Sequence, residues 1–212
     1  MPRLFLGLDC STQSLSAIVI DYDSRQIVYE HSLNFDKALP QYHTQNGVLP
    51  NPDPLVKHSP PLMWAEALDL MFERMRADRV PLHEVLAVSG SGQQHGPVYL
   101  KADRSLARPT SPIWMDSSTS VECAEIRNAL GGVAETAKAT GSDAFERFTA
   151  PQIRKFAKTE PEAYRKTAHI ALVSSYMTGL LAGTIAPIDH GDGAGMNLMD
   201  LAHRKWAASA GI

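Results

Sequence analysis

Cysteine is scarce. Cys10 and Cys123 are the only two in 212 residues, far apart and without CxxC spacing. That argues against a disulfide framework and against a thiolate zinc site, and the chain is expected to be cytoplasmic, with reduced thiols. No apolar run approaches the roughly 20 residues that a bilayer span requires, and the N-terminus lacks the basic region, apolar core and cleavage site of a secretory signal. No membrane partner is expected. Charge of one sign is also missing: 20 Lys and Arg against 23 Asp and Glu leave a net charge of −3, which argues against nucleic acid as the main partner. No GxxxxGK[ST] occurs anywhere, and Gly90-x-Gly92 is followed by Gly96, one position too late for GxGxxG. Both nucleotide-loop fingerprints therefore fail. There is no internal repeat and no low-complexity tract.

What is present is an ordinary globular composition, 44% hydrophobic and 20% charged, long enough for one large domain. Three β-rich runs, Leu4–Asp9, Ser16–Asp21 and Gln26–Asn34, lie too close together for βαβ crossovers and predict an antiparallel meander. Phe35–Ser59 is polar and too long for a routine connection, so it reads as a surface excursion or lid-like loop. The clearest helix is Pro60–Arg79, with Leu62, Ala65, Leu68, Met71, Phe72 and Met75 at helical spacing. Val85–Val88 is a strand before the Gly-rich loop SGSGQQHG. Ser117–Leu130, Ala150–Lys158, Pro161–Lys166 and Ser174–Leu181 read as helices. Ala168–Val173 and Thr184–Ile188 read as strands, and Asp200–Ala210 begins a last helix. This order predicts an α/β domain with a mixed sheet and helices packed on it.

Five stretches carry candidate chemistry. In LDCSTQS an apolar strand delivers Asp9 into a turn of Cys, Ser, Thr and Gln. A tight turn can aim several backbone N–H groups at an anion, Thr12 and Ser14 can add hydroxyl donors, and Asp9 is a hard oxygen ligand suited to Mg²⁺. The same residues also suit a plain hairpin whose Asp caps its own turn. In SGSGQQHG, Gln93, Gln94 and His95 follow a strand end, where α/β sheets collect ligands, and amides with an imidazole match sugar hydroxyls. A self-satisfied polar loop is the alternative. In IWMDSST, Asp116 either accepts from a ligand hydroxyl or caps a helix. In TGSDAFERFTAPQIRKF, Arg147 sits between Phe145 and Phe148, where packing could fix its fork of donors. In PIDHGDGAGMNLMD, Asp189 and Asp192 match no metal spacing. The glycines suggest a turn approaching a ligand, or a surface turn.

Taken in this order, LGLDCSTQS, SGSGQQHG, PIWMDSST, TGSDAFERFTAPQIRKF and PEAYRKTAHIALVSSYMTGLLAGTIAPIDHGDGAGMNLMDL resemble the N-terminal domain of the FGGY carbohydrate kinases. The likeness is greatest to the animal-type xylulose kinases and covers nearly the whole chain, residues 1–212. The resemblance implies an actin-like, ribonuclease H-like ATPase fold. It also implies transfer of the γ-phosphoryl of ATP to the 5-hydroxyl of D-xylulose with Mg²⁺. Ribulose, fuculose or another polyol is the alternative substrate, and a non-catalytic sugar-binding remnant the alternative role. It places Asp9 at the metal, Thr12, Gln13 and Ser14 at the ATP phosphates, and Gln94, His95, Arg147 and Asp116 at the sugar. Two departures stand out: Cys10 and Ser11 follow Asp9 where the family often has Gly, and Ser16 takes a commonly basic position. The family's general base is an Asp in a GDN-type loop of a C-terminal ATP-binding domain. This chain contains no GDN, so the base is expected beyond Ile212, the missing domain is the expected partner, and the chain alone should be nearly inert. Apolar surface left open would promote association, with a homodimer as one outcome.

Overall fold

The computed structural model describes residues 3–208 and divides into two compact units. One contains the residues up to Pro50 together with Ser59–Gln93. The other contains Asn51–His58 and the residues from Gln94 onward.

The first unit is built on a four-stranded sheet. β1 (Leu4–Cys10), β2 (Ser14–Asp21) and β3 (Gln26–Asn34) form the expected antiparallel meander, and β4 (Val85–Gly92) lies parallel to β1. The spatial order is β3-β2-β1-β4. Strand alternation sorts the side chains. Leu4, Leu6, Leu8 and Cys10 of β1 and Leu15, Ala17 and Val19 of β2 are buried on one face. After the short helix α1 (Phe35–Ala38), α2 (Pro61–Ala77) runs where periodicity put a helix and packs against β2. Its buried stripe is Met63, Trp64, Ala67, Leu68, Met71 and Met75, while Leu62 is exposed, so the stripe is turned from the one the sequence suggested. The opposite face of the sheet carries exposed Phe5, Ile20 and Asp9.

β4 corrects the first expectation. The strand does not stop at Val88 but continues through Ser89–Gly92. Its residues pair with β1 one for one from Phe5↔Ala87 to Cys10↔Gly92. Main-chain pairing overrides the poor strand propensity of glycine.

In the second unit, β5 (Pro97–Leu100) pairs antiparallel with β6 (His169–Leu172). Around this ribbon lie α3 (Ser120–Leu130), α4 (Val133–Thr140), α5 (Thr149–Thr159), α6 (Pro161–Arg165), α7 (Val173–Ala182) and the one-turn α8 (His190–Ala194). Tyr99 and Phe156, with ring centroids 4.2 Å apart, are both buried at its centre. Three expectations fail here. α3 starts at Ser120 rather than Ser117, because Ser118 is held in a turn by Asp116 and the Thr119 hydroxyl donates to the Glu146 carbonyl instead of capping the helix. Thr184–Ile188 is not a strand: it has no partner strand among the described residues, and the Thr184 N–H instead returns to Gly179 O at the end of α7. Asp200–Ala210 does not begin a helix. The chain makes a small hairpin, β7 (Met199–Asp200) with β8 (Lys205–Trp206), whose turn is held by His203 N and Nδ1 on the Asp200 carboxylate. Ser209 and Ala210 lie outside the described residues. Among the described residues, no helix is long and apolar enough to cross a membrane.

Candidate functional site

In the first unit the site is a row of polar side chains across the open face of the sheet. The register sets Ser32 opposite Ser16, Ser16 opposite Asp9, and Asp9 opposite Ser91. Paired residues share a face, so four strands present one line of hydroxyls around a single carboxylate. The Ser91 hydroxyl donates to Asp9 Oδ1 at 2.5 Å, and Ser16 Oγ donates to Ser32 Oγ at 3.0 Å. Asp9 Oδ2 has no hydrogen-bond partner among the described residues. The row lines an open groove of about 820 Å³ floored by Gly7 and Gly90. A side chain at position 7 would press into Ile18 Cγ2, at 2.9 Å. Among the described residues, no three His, Cys, Asp or Glu side chains gather into a metal cluster. A single exposed carboxylate nevertheless fits Mg²⁺, which keeps several waters and takes the rest of its ligands from substrate phosphates.

The turn after Asp9 is closed by its own atoms. Ser11 N–H donates to Ser14 O at 2.9 Å, and the Ser11 hydroxyl contacts Ser14 O and Ser14 Oγ at 3.0 and 3.1 Å. Gln13 is exposed, and its carbonyl accepts from Phe35 N–H at 2.9 Å and from Asn34 Nδ2 at 3.4 Å. No residue from Ser11 to Ser14 has positive φ, so the turn is not an αR–αL nest.

In the second unit, His95 is the centre of a cluster drawn from three distant segments. Its backbone is left-handed, φ 71°. Its carbonyl accepts from the Thr149 hydroxyl at 2.9 Å, and its Nδ1 lies 2.8 Å from Gly195 O. A carbonyl only accepts, so Nδ1 carries the proton. Burial holds the imidazole below its ordinary pKa, although the bond to Gly195 works against it. Neutral His95 therefore presents Nε2 as an acceptor. Gly195 is required by closeness: a Cβ there would meet His95 Cε1 at 2.8 Å and Nδ1 at 2.9 Å. The loop bearing it is tied down by Ala150 N–H on Met196 O, at 2.9 Å, and by Asn197 Nδ2 on Thr140 Oγ1, at 2.6 Å. The Phe148 ring lies tilted by 50° against His95 with centroids 4.9 Å apart, Phe145 meets Phe148 edge-on at 5.4 Å, and the exposed Arg147 guanidinium lies 5.9 Å from the Phe148 ring. Gln94 is exposed beside His95.

Asp116 is placed differently. It is fully buried, and its oxygens accept from Lys57 N–H at 2.9 Å, Ser118 N–H at 3.0 Å, the Ser118 hydroxyl at 2.5 Å and Gln152 Nε2 at 2.8 Å. His58 Nε2 lies 3.5 Å away. Burial alone would raise this carboxyl's pKa; the donors from Ser118, Gln152 and Lys57 outweigh it and hold the group below its usual range. Asp189 caps α8 by accepting from Gly191 and Asp192 N–H, and Asp192 accepts from the Ser174 hydroxyl.

Sequence reasoning missed Ser91, Thr149 and Gly195 as partners of Asp9 and His95. Ser91 carried a signal, since a strand continued through Ser89 would have set it beside Asp9. Thr149 and Gly195 carried none, because their roles exist only through contacts 54 and 100 residues along the chain.

Comparison with known proteins follows the same pattern. The profile of the FGGY family of carbohydrate kinases, N-terminal domain, matches residues 4–210. The chain is 47% identical over 229 residues to xylulose kinase 2 of Arabidopsis thaliana and 42% identical over 224 residues to xylulose kinase of Rattus norvegicus. These alignments cover 98% and 97% of this chain but 40% and 42% of those proteins. In structure it matches xylulose kinase from Rhodospirillum rubrum with a TM-score of 0.82 at 19% identity, over 99% of this chain and 41% of that one. The chain thus spans about two-fifths of the length of the curated relatives it matches.

Proposed function

This chain belongs to the FGGY family of carbohydrate kinases, whose fold is actin-like, and on that premise we propose that it supplies the sugar-holding and phosphate-holding residues of an ATP-dependent D-xylulose kinase. Kinases of this family use ATP, typically with Mg²⁺. Phosphoryl transfer depends on positioning and charge neutralisation more than on covalent participation by the protein. Mg²⁺ held at Asp9 would supply neutralisation of phosphate charge. Asp9, oriented through Oδ1 by Ser91, offers Oδ2 to that ion or its water shell, and Thr12, Gln13 and Ser14 form the turn that faces phosphate. On the sugar side, His95 Nε2 accepts from a hydroxyl while Arg147 and Gln94 donate. Asp116 belongs to the scaffold of that cluster, since internal donors already fill it.

The observation that carries this reading is the neutral His95 held by Gly195 with Arg147 beside it, a set of opposed donors and acceptors suited to a polyhydroxyl ligand. Calorimetry of the 212-residue chain with D-xylulose tests it. Binding is expected, and Arg147→Ala should weaken it about tenfold, the loss of roughly one charge-assisted hydrogen bond. Equal affinity of the variant and its parent would remove Arg147 from the site. Equal binding of D-ribulose would widen the substrate class.

A further inference from the structure

The turn from Ser11 to Ser14 is also held from outside: two of its carbonyls meet a segment over twenty residues further along. Gln13 O accepts from Phe35 N–H and Asn34 Nδ2. Thr12 O faces Gly47 so closely that a Cβ at position 47 would lie 1.9 Å from it, and 2.9 Å from the Thr12 carbonyl carbon. Gly47 is itself left-handed, φ 77°, and follows left-handed Asn46, φ 54°. One carboxylate fixes this left-handed pair. Asp36, in the first turn of α1, accepts from Gly47 N–H at 3.0 Å, Asn46 N–H at 2.5 Å and the Thr44 hydroxyl at 2.7 Å. The buried Ser59 hydroxyl closes the other side on Gly47 O at 2.6 Å.

We propose that the Asp36–Gly47 clamp is a positioning device for the phosphate turn: it sets the height of Thr12 and Gln13, and through them the affinity for nucleotide phosphate, without touching any ligand. This rests on the turn's assignment to ATP phosphate. The physical reason is rigidity. A loop free to sample several conformations loses affinity in proportion to the fraction that is competent, and the clamp removes that freedom in advance.

The test uses the 212-residue chain with Mg·ATP and D-xylulose as separate calorimetric probes, and amide hydrogen exchange as a readout needing no ligand. Gly47→Ala should weaken Mg·ATP binding about tenfold and leave D-xylulose binding within about twofold. It should also speed exchange at Phe35 N–H, the donor to Gln13 O, but not at the β1–β2 amides. Thr44→Val is the milder second variant, should Gly47→Ala fail to fold, with an expected loss of about threefold for Mg·ATP alone. Unchanged Mg·ATP affinity in a variant whose Phe35 exchange is faster overturns the proposal, and so does an equal loss of both ligands. A parent chain that binds D-xylulose but no Mg·ATP overturns the phosphate assignment, and this inference with it.

Discussion

Asp9 and Asp116 follow apolar runs of similar character, and the two carboxylates have opposite fates. Asp9 is exposed, with one hydroxyl on Oδ1 and no hydrogen-bond partner on Oδ2 among the described residues. Asp116 is fully buried, with four internal donors and a histidine around it. A carboxylate left unsatisfied in water costs the fold nothing and is available to a ligand, whereas one buried must be filled by the protein itself. Type and local sequence do not distinguish the two; burial does.

Substitution should separate them most sharply in stability. Asp116→Ala removes the acceptor of Lys57 N–H and Ser118 N–H and leaves the Gln152 amide only the Glu146 carbonyl, and is expected to cost about 3–5 kcal/mol in urea unfolding. A loss below about 1 kcal/mol would mean that water replaces the carboxylate and that the contrast with Asp9 is overstated.

A smaller effect should appear with pH. Burial first, with Arg108 and Lys155 nearby and against the pull of Asp116, lowers His58 from 6.5 to about 4. A depressed histidine binds its proton more readily when unfolded. Its contribution is therefore complete above about pH 6.5 and lost as pH falls toward 4, at no more than about 1.4 kcal/mol per pH unit. The lowered Asp116 carboxyl works in the same direction at still more acid pH. Urea titrations across pH 4–7 should show this slope, and His58→Gln should flatten it. A slope unchanged in the variant would assign it to other groups.

The smallest expected change is the stability of Asp9→Ala, within about 0.5 kcal/mol of the parent as for an exposed residue, alongside loss of Mg²⁺-dependent nucleotide binding. A large destabilisation would make Asp9 a structural residue and erase the comparison.

Much of the fold was legible where the signal was local. The meander could be read because its turns are too short for any crossover, and α2 because its apolar residues recur at helical spacing, although the buried stripe proved turned toward Met63 and Trp64. Ser89–Gly92 read as loop because glycine suggests one, and became strand because β1 supplied pairing for every residue. Thr184–Ile188 failed for the converse reason: β-branched residues favour a strand only where a neighbouring strand exists. Ser117–Thr119 looked like helix-opening residues, but a buried carboxylate and a distant carbonyl claimed the hydroxyls of Ser118 and Thr119.

The sequence by itself determined the family, the meander and the residue types at each candidate site, since these reside in residues close along the chain. Tertiary structure alone decided which groups would be open to a ligand. It filled Asp116 and left Asp9 Oδ2 without a partner among the described residues, fixed the neutral tautomer of His95 through Gly195, and set Gly47, held by Asp36, against the Thr12 carbonyl. Each of these depends on burial or on a contact between distant segments. A side chain's pKa and spare hydrogen bonds are set by what surrounds it in space, and chain order does not carry that information.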